Sequence, residues 1–209
     1  DYLANEARNI VLMGHSGAGK SSVVEAALYF TQATDRLGKT GDGTSVMDND
    51  AEEIKRGLSV YTSIAPVEWK ECKINFIDTP GYLDYEGEAQ CGIAVGDNAL
   101  IVVGAKDGVE SGTEKAWKIV TCKKLPTIFF INKIDEENAS FDQTYNQLRE
   151  HFGKTVIPFE VPITSAGKVV GSVNILRKKA WYYDDRTTPK EVPDELKEIV
   201  EEYYNQIAE

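Results

Sequence analysis

A glycine-rich segment near the start of the sequence has the residue types and spacing of a phosphate-binding loop. It fits the pattern Gly-x-x-x-x-Gly-Lys-Ser. The glycines allow backbone angles at which N–H groups turn toward phosphate oxygens, and the helix that follows adds the partial positive charge of its N-terminus. The lysine would reach the β- and γ-phosphates, and the serine hydroxyl would bind Mg²⁺. The predicted phosphate-binding residues are Gly14, His15, Ser16, Gly17, Ala18, Gly19, Lys20, Ser21 and Ser22.

A second polar segment, Asp78-Thr79-Pro80-Gly81, follows an alternating apolar run. A carboxylate at a strand end can hold Mg²⁺ through water, and the N–H of a glycine after proline is free to meet a γ-phosphate. Acidic residues and glycines also fill ordinary turns, which is the alternative interpretation. Because the segment comes after a phosphate-binding loop, we predict that all four residues contact the nucleotide or its metal ion.

The third polar segment, Asn132-Lys133-Ile134-Asp135, indicates which base is bound. The Asp135 carboxylate can accept hydrogen bonds from guanine N1–H and from the exocyclic amine, whereas adenine offers no matching pair of donors. Asn132 would tether neighbouring loops, and the stem of Lys133 would cover the purine face. The alternative is a polar helix start after a strand. We predict GTP and GDP as ligands.

Short apolar runs precede these segments and alternate with helical patterns, which predicts an α/β fold with a mostly parallel sheet. Ligands of such sheets bind at the carboxyl ends of the strands. Residues 60–69 and 73–78 are predicted to form an antiparallel pair with a turn at Glu71 and Cys72. The other predicted strands are 10–13, 99–104 and 127–131, and the predicted helices are 22–30, 85–95, 111–124 and 141–152.

The segments between and before these elements are polar. Residues 1–8 are predicted to be frayed or weakly helical. Residues 31–58 contain many Gly, Asp and Thr residues, and a loop of this length indicates a functional, mobile segment. Within it, Asp48, Asp50, Glu52 and Glu53 are predicted to form a solvated acidic face.

The pattern changes after residue 152. Short strands are predicted at 156–163, 168–175 and 178–183, followed by a helix at 194–208 with one apolar face. We therefore predict a nucleotide-binding domain over residues 1–152 and a small α+β subdomain over residues 153–209.

The composition excludes several classes of protein. A hydrophobic content of 42% with 27% charged residues is ordinary for a soluble globular chain of 209 residues. The net charge of −11 argues against broad binding to nucleic acid or to anionic membranes. No apolar run has the roughly 18 residues of a membrane span. We expect a cytoplasmic monomer that binds neither membranes nor specific DNA sequences.

These motifs resemble those of the translational GTPases, most closely the GTP-binding domain of elongation factor G and its paralogues. Beside the three segments above, Lys55 to Val60 resembles the family's first-switch signature. The resemblance implies a P-loop NTPase three-layer sandwich with the insertion subdomain of elongation factor G at 153–209. It also implies a Mg²⁺-GTP switch, hydrolysis stimulated by the ribosome and contact between the insertion and ribosomal stalk protein. Ser59 occupies the place of the family's metal-binding threonine, so the implied metal ligands are Ser21, Ser59 and Asp78.

The sequence departs from the family pattern at two positions of the site. Gly17 replaces an aspartate of the phosphate-binding loop. Tyr82 stands where the family places the histidine that orients the attacking water. A phenol with a reference pKa of about 10 is a poor base, although it can still position water by hydrogen bonding. The implied catalytic residues are Lys20, Gly81 and Tyr82, and we expect hydrolysis to be slow without a partner.

The family's fifth motif, a Ser-Ala pair that contacts guanine, has one candidate here. Ser165 and Ala166 have a plausible spacing, but their surroundings favour a hairpin turn of the insertion. On that interpretation the sequence is expected to stop inside a larger protein, before the true fifth motif. Two other functions are kept as alternatives: a nucleotide-dependent binding module with negligible turnover, and a P-loop GTPase with a role outside the ribosome.

Overall fold

The computed structural model describes residues 2–39, 42–47, 53, 55, 59–81 and 86–208. The chain divides into two compact units, Asp1–Lys133 and Ile134–Glu209. The sequence-based division at residue 152 concerns an inserted subdomain, and it stays a prediction. Within the described ranges, no helix has the length and apolar character needed to cross a membrane.

The first unit is built on one five-stranded sheet. Its strands are β1 (Ala7–Met13), β2 (Ser63–Trp69), β3 (Cys72–Asp78), β4 (Asn98–Gly104) and β5 (Thr127–Asn132). Their order across the sheet is β2-β3-β1-β4-β5. β2 and β3 are antiparallel, and every other neighbouring pair is parallel, which confirms the predicted sheet. Lys70 and Glu71 have positive φ angles of 47° and 64° and form the two-residue turn between β2 and β3. Cys72 therefore begins a strand and does not belong to the turn as predicted.

Helices cover both faces of this sheet. Leu12 of β1 packs with Val24 and Leu28 in a buried cluster on one face. Val11 points to the other face, because successive side chains of a strand alternate, and there it lies against Gly92 and Gly96. The arrangement confirms the predicted three-layer fold. The helices of this unit whose full extent lies within the described residues are α1 (Lys20–Phe30), α2 (Glu86–Ala94) and α3 (Ser111–Lys123).

The start of β1 differs from the prediction. Ala7 and Arg8 pair in parallel register with Lys73 and Ile74 of β3, so they are neither frayed nor helical. The segment is polar, and its strand structure comes from pairing with β3, which local sequence does not reveal.

The second unit contains one four-stranded antiparallel sheet. Its strands are β6 (Glu160–Ser165), β7 (Lys168–Asn174), β8 (Lys179–Tyr182) and β9 (Asp185–Lys190), which are neighbours in that order. Ser165 pairs with Lys168, and Ala166 and Gly167 form the turn with φ angles of 49° and 75°. The hairpin predicted at Ser165 and Ala166 is thus confirmed. Tyr145 and Tyr203 join two helices through an edge-to-face contact with ring centroids 5.8 Å apart. The helical elements are α4 (Phe141–Phe152), a 3-10 turn (Asp194–Leu196) and α5 (Lys197–Ala208).

Two details of this unit differ from the sequence analysis. β6 begins at Glu160, so residues 156–159 lie outside the strand. β9 was not predicted, since its sequence, Asp-Arg-Thr-Thr-Pro-Lys, is polar and contains Pro189. β9 pairs only with β8 and is an edge strand, where a proline is tolerated because one side of the strand needs no ladder hydrogen bonds.

Candidate nucleotide-binding site

The glycine-rich loop connects the end of β1 to the first turn of α1. Gly14, Gly17 and Gly19 have φ angles of 135°, 82° and 95°, which other residues rarely adopt. A Cβ atom on Gly14 would lie 2.3 Å from the Val102 carbonyl oxygen, so only glycine fits there. Of the remaining loop residues, Ala18 is buried, Ser16 is half-buried, and Ser22 is exposed in the first turn of α1. The loop has the backbone geometry of a phosphate cradle.

Lys20 holds its ammonium group inside this loop. Its side chain is buried, and Nζ donates to the carbonyl oxygens of His15, at 3.1 Å, and Gly14, at 3.3 Å. Burial lowers the pKa of Lys20, and the charge of the Asp78 carboxylate acts in the opposite direction. A Cβ atom on Gly81 would lie 2.3 Å from Nζ, so the second polar segment closely approaches the lysine. Lys20 and Gly81 are therefore neighbours.

Three side-chain oxygens meet beside the lysine. The Ser21 hydroxyl donates to Asp78 Oδ2 at 2.6 Å, and the Ser21 and Ser59 hydroxyl oxygens are 3.4 Å apart. Ser21 and Asp78 are both buried. Hydroxyl and carboxylate oxygens are the hard ligands that Mg²⁺ prefers, and this ion retains several waters, so a site with few protein ligands suits it. The three residues fit a magnesium ion.

The second polar segment is fixed to β1. The Thr79 hydroxyl donates to the Leu12 carbonyl oxygen at 2.6 Å, and Pro80 is buried. Asp78 pairs with Leu12 in the parallel register of β3 and β1, so the segment begins at the carboxyl end of the sheet, next to Gly14. The sheet register explains how residues far apart in sequence come together.

The third polar segment reaches the glycine-rich loop through Asn132. Its Nδ2 donates to the Ala18 carbonyl oxygen at 3.0 Å, and a Cβ atom on Gly19 would lie 2.3 Å from the same nitrogen. Lys133 has a positive φ of 59°. Asp135 is exposed and belongs to the second unit, and its role in reading the base stays a prediction.

The structure does not describe every predicted site residue. Tyr82 lies outside the described residues, as do Asp48, Asp50 and Glu52. Among the residues that are described, no three His, Cys, Asp or Glu side chains gather into a group that could hold a metal ion. The cluster of Ser21, Ser59 and Asp78 contains only one such side chain.

Two contacts near the site were not predicted. His15 accepts a hydrogen bond at Nδ1 from the Gly112 N–H, at 3.2 Å, and its Nε2 lies 3.4 Å from Glu110 Oε1. Glu53 is 2% exposed, so its assignment to a solvated acidic face is wrong. Its carboxylate accepts hydrogen bonds from two backbone N–H groups, and these bonds compensate for the cost of burying the carboxylate. No local sequence signal marks either contact, because in both cases the partner residues are brought together by the fold.

Comparison with known proteins agrees with this geometry. Residues 5–206 match the family described as elongation factor Tu GTP binding domain. Elongation factor G of Mycoplasma genitalium is 32% identical over 206 residues, which cover 97% of this chain and 30% of that protein. Elongation factor G of Mycoplasma pneumoniae is 31% identical with the same coverage.

A crystal structure of a protein from Thermus thermophilus is similar to the chain, with a TM-score of 0.89 and 32% identity. The similarity covers 96% of this chain and 30% of that one, so the chain spans about 30% of the length of these relatives. The family match extends over nearly the whole sequence and agrees with the fold and with the glycine-rich loop. The chain therefore belongs to the family of elongation factor Tu GTP-binding domains, a family of GTPases.

Proposed function

We propose that the chain is the GTP-binding and GTP-hydrolysing domain of a translation factor similar to elongation factor G. The observation that carries the proposal is the approach of Ser21, Ser59 and Asp78 beside the buried ammonium of Lys20. A cation-binding set of oxygens next to a buried positive charge suits the triphosphate of a nucleotide bound with Mg²⁺.

Each part of the proposed site has a separate task. The N–H groups of the glycine-rich loop and the Lys20 ammonium stabilise negative charge on the transferred phosphoryl group. Ser21, Ser59 and Asp78 would hold Mg²⁺, which when bound neutralises charge on the β- and γ-phosphate oxygens. The N–H of Gly81 meets the γ-phosphate. Loss of that phosphate releases Ser59 and Gly81 together, which is the switch.

Recognition of the base and positioning of the attacking water depend on residues outside this cluster. Asp135 accepts hydrogen bonds from guanine, and the Lys133 stem covers the purine. Tyr82 orients the attacking water by hydrogen bonding and does not act as a base at neutral pH. We therefore propose slow intrinsic hydrolysis that the ribosome stimulates, with ribosomal stalk protein contacting residues 153–209.

Calorimetry tests nucleotide selectivity. We expect GTP and GDP to bind in the presence of Mg²⁺ and ATP to bind at least about 100-fold more weakly, because adenine leaves the Asp135 carboxylate without its two donors. Asp135→Ala should weaken GDP binding by at least about 30-fold, on the order of 2 kcal/mol for lost charged hydrogen bonds. Glu150→Ala, which removes an exposed carboxylate from α4, is the control. Equal affinity for ATP and GTP would refute the proposed base specificity.

Tyr82 favours a second candidate, a binding module with negligible turnover, because the expected histidine is absent. Phosphate release with and without ribosomes separates the two. Continuing release with ribosomes supports the hydrolase, and release that stops after one turnover supports the binding module. Co-sedimentation with ribosomes tests the translational role itself, since a GTPase with another role would stay in the supernatant.

A further inference from the structure

Three successive backbone N–H groups, those of residues 60 to 62, donate hydrogen bonds to two carboxylates. The Val60 and Tyr61 N–H groups donate to Glu53 Oε1 at 2.8 and 3.0 Å. The Thr62 N–H donates to Glu88 Oε2 at 3.0 Å, and its hydroxyl donates to the Glu88 carbonyl oxygen at 3.2 Å. We refer to the two carboxylates and these three N–H groups as the carboxylate clamp.

The clamp binds a segment that has no sheet ladder to hold it. β2 begins at Ser63, so the N–H groups of residues 60–62 need acceptors other than strand partners. Glu53 is 2% exposed, and a buried carboxylate is tolerated only where donors surround it. Hydrogen bonds from N–H groups to a carboxylate are also stronger than those to a neutral acceptor. These bonds fix the backbone of residues 60–62.

The three N–H groups of the carboxylate clamp begin at Val60, one residue after Ser59. The Ser59 hydroxyl lies 3.4 Å from the Ser21 hydroxyl, in the oxygen cluster assigned to Mg²⁺. A side chain on a loop is positioned only as well as the backbone that carries it. We propose that Glu53 and Glu88 are positioning residues that hold the Ser59 hydroxyl at the Mg²⁺ site. This inference rests on the proposed function.

The clamp also connects two parts of the site. Glu88 lies in α2, which follows the second polar segment along the chain, whereas Glu53 and Ser59 belong to the segment before β2. A displacement of α2 that moves Glu88 also moves Thr62, because the two residues are joined by hydrogen bonds. Ser59 lies three residues before Thr62 on the same segment and moves with it. The position of the metal-binding hydroxyl thus depends on the helix that comes after Gly81.

The first measurement is amide hydrogen exchange in the nucleotide-free full chain. Glu53→Ala should speed exchange at Val60 and Tyr61 about tenfold, because it removes their acceptor. Glu53→Gln should have a smaller effect, since its amide oxygen can still accept. Glu150→Ala, the exposed carboxylate of α4, should leave these amides unchanged. Exchange that is the same in Glu53→Ala and in the unmodified chain would overturn the clamp.

The second measurement follows the dissociation of a fluorescent, non-hydrolysable GTP analogue at increasing Mg²⁺ concentration. The value compared between variants is the Mg²⁺ concentration at which dissociation is slowed half-maximally. Ser59→Ala and Glu53→Ala should each raise it about tenfold, and Glu53→Gln about two- to threefold. The double variant Glu53→Ala with Ser59→Ala should match the worse single variant, because both changes remove the same metal contact. If the two changes instead multiplied in the double variant, so that its half-maximal Mg²⁺ concentration rose by the product of the two single effects, Glu53 would not act through Ser59. Its role would then be merely structural.

Failure of the inference and failure of the proposed function give different results. If the unmodified chain binds the analogue and Glu53→Ala leaves the Mg²⁺ dependence unchanged, the inference is wrong and the GTPase proposal stands. If the unmodified chain binds no guanine nucleotide, the proposed function is wrong and the inference fails with it. If Glu53→Ala does not fold, the same comparison of single and double variants is made with Glu53→Gln in its place.

Discussion

Lys20 faces opposing demands in the folded chain. Under the proposed function its ammonium must be charged to attract phosphate, yet burial disfavours that charge and lowers the pKa of the group. Two carbonyl oxygens and the Asp78 carboxylate compensate part of this cost. In the nucleotide-free protein the lysine is therefore a source of instability that bound phosphate would relieve, as is common for residues that serve function at the expense of stability.

This instability predicts a pH dependence of folding. Because the pKa of Lys20 is lowered in the folded state, the unfolded chain keeps this proton to higher pH, up to its ordinary value of 10.5. Between the two pKa values the unfolded state binds more protons, so the contribution of Lys20 to the free energy of unfolding rises with pH. Lys20→Met should remove that rise. Urea unfolding between about pH 7 and pH 10 measures it.

The control for this measurement is Lys118→Met, which replaces an exposed lysine of α3. Its pH profile should follow that of the unmodified chain. If Lys20→Met kept the same slope as Lys118→Met, the lowered pKa of Lys20 would not contribute to stability.

At the residue scale, short spacing placed Lys20 and Ser21 in one predicted site, because phosphate and Mg²⁺ require those groups next to a glycine turn. The structure brings Ser21 together with Ser59 and Asp78, and the binding of phosphate and Mg²⁺ by these residues stays a prediction. The contacts of the His15 and Glu53 side chains could not be predicted. Both side chains accept hydrogen bonds from backbone N–H groups, that of Gly112 for the histidine and those of residues 60 and 61 for the glutamate, and a backbone N–H carries no residue-specific signal in the sequence.

At the scale of elements, the first turn of α3 rests directly on the glycine-rich loop. The Gly112 N–H is one of the first N–H groups of the helix, which have no partner within it, and His15 Nδ1 supplies the acceptor. A Cβ atom on Gly112 would lie 2.6 Å from His15 Cα and 2.9 Å from Nδ1. The docking of α3 therefore requires a glycine at this position.

Two helical glycines provide a matched test of this contact. Gly112→Ala should reduce the free energy of unfolding by about 1–3 kcal/mol, the usual cost of forcing an extra methyl group into a packed site. It should also weaken GDP binding, since the displaced backbone belongs to the glycine-rich loop that we propose binds the phosphates. Gly87→Ala in α2 meets no atom within 4 Å and should stabilise the chain by about 0.5–1 kcal/mol, because alanine favours helix over glycine.

Urea unfolding and calorimetry with GDP measure both effects on both variants. The close contact between α3 and the loop would be disproved if Gly112→Ala were as stable as Gly87→Ala and bound GDP as well as the unmodified chain.

Prediction of elements from the sequence worked best for apolar strands. β4 is a continuous apolar run because most of its residues are buried between helices and neighbouring strands. β5 was predicted from the same pattern, but it is not a buried strand, since it lies at the edge of the sheet and the Ile128 and Phe130 side chains are exposed. The first residues of β1 and all of β9 failed because these segments are polar and become strands only by pairing with β3 and β8. Pairing partners are set by topology, and topology is decided by the whole chain.

At the scale of the whole molecule, ligand binding and folding are one equilibrium. A ligand that binds only the folded chain stabilises it by about 2.7 kcal/mol at a free concentration 100 times its Kd. For a chain of 209 residues this corresponds to a rise in Tm of about 5–10 °C. The rise should depend on GDP concentration and should require a guanine base.

Thermal unfolding with GDP, with ATP and with neither nucleotide tests this coupling, with Mg²⁺ present throughout. We expect a rise with GDP and almost none with ATP at the same concentration. Asp135→Ala should lose most of the rise while its nucleotide-free Tm stays near that of the unmodified chain, because Asp135 is exposed. Equal rises with GDP and ATP would mean that the phosphate-binding loop alone supplies the binding energy. The carboxylate at residue 135 would then have no part in recognising the base.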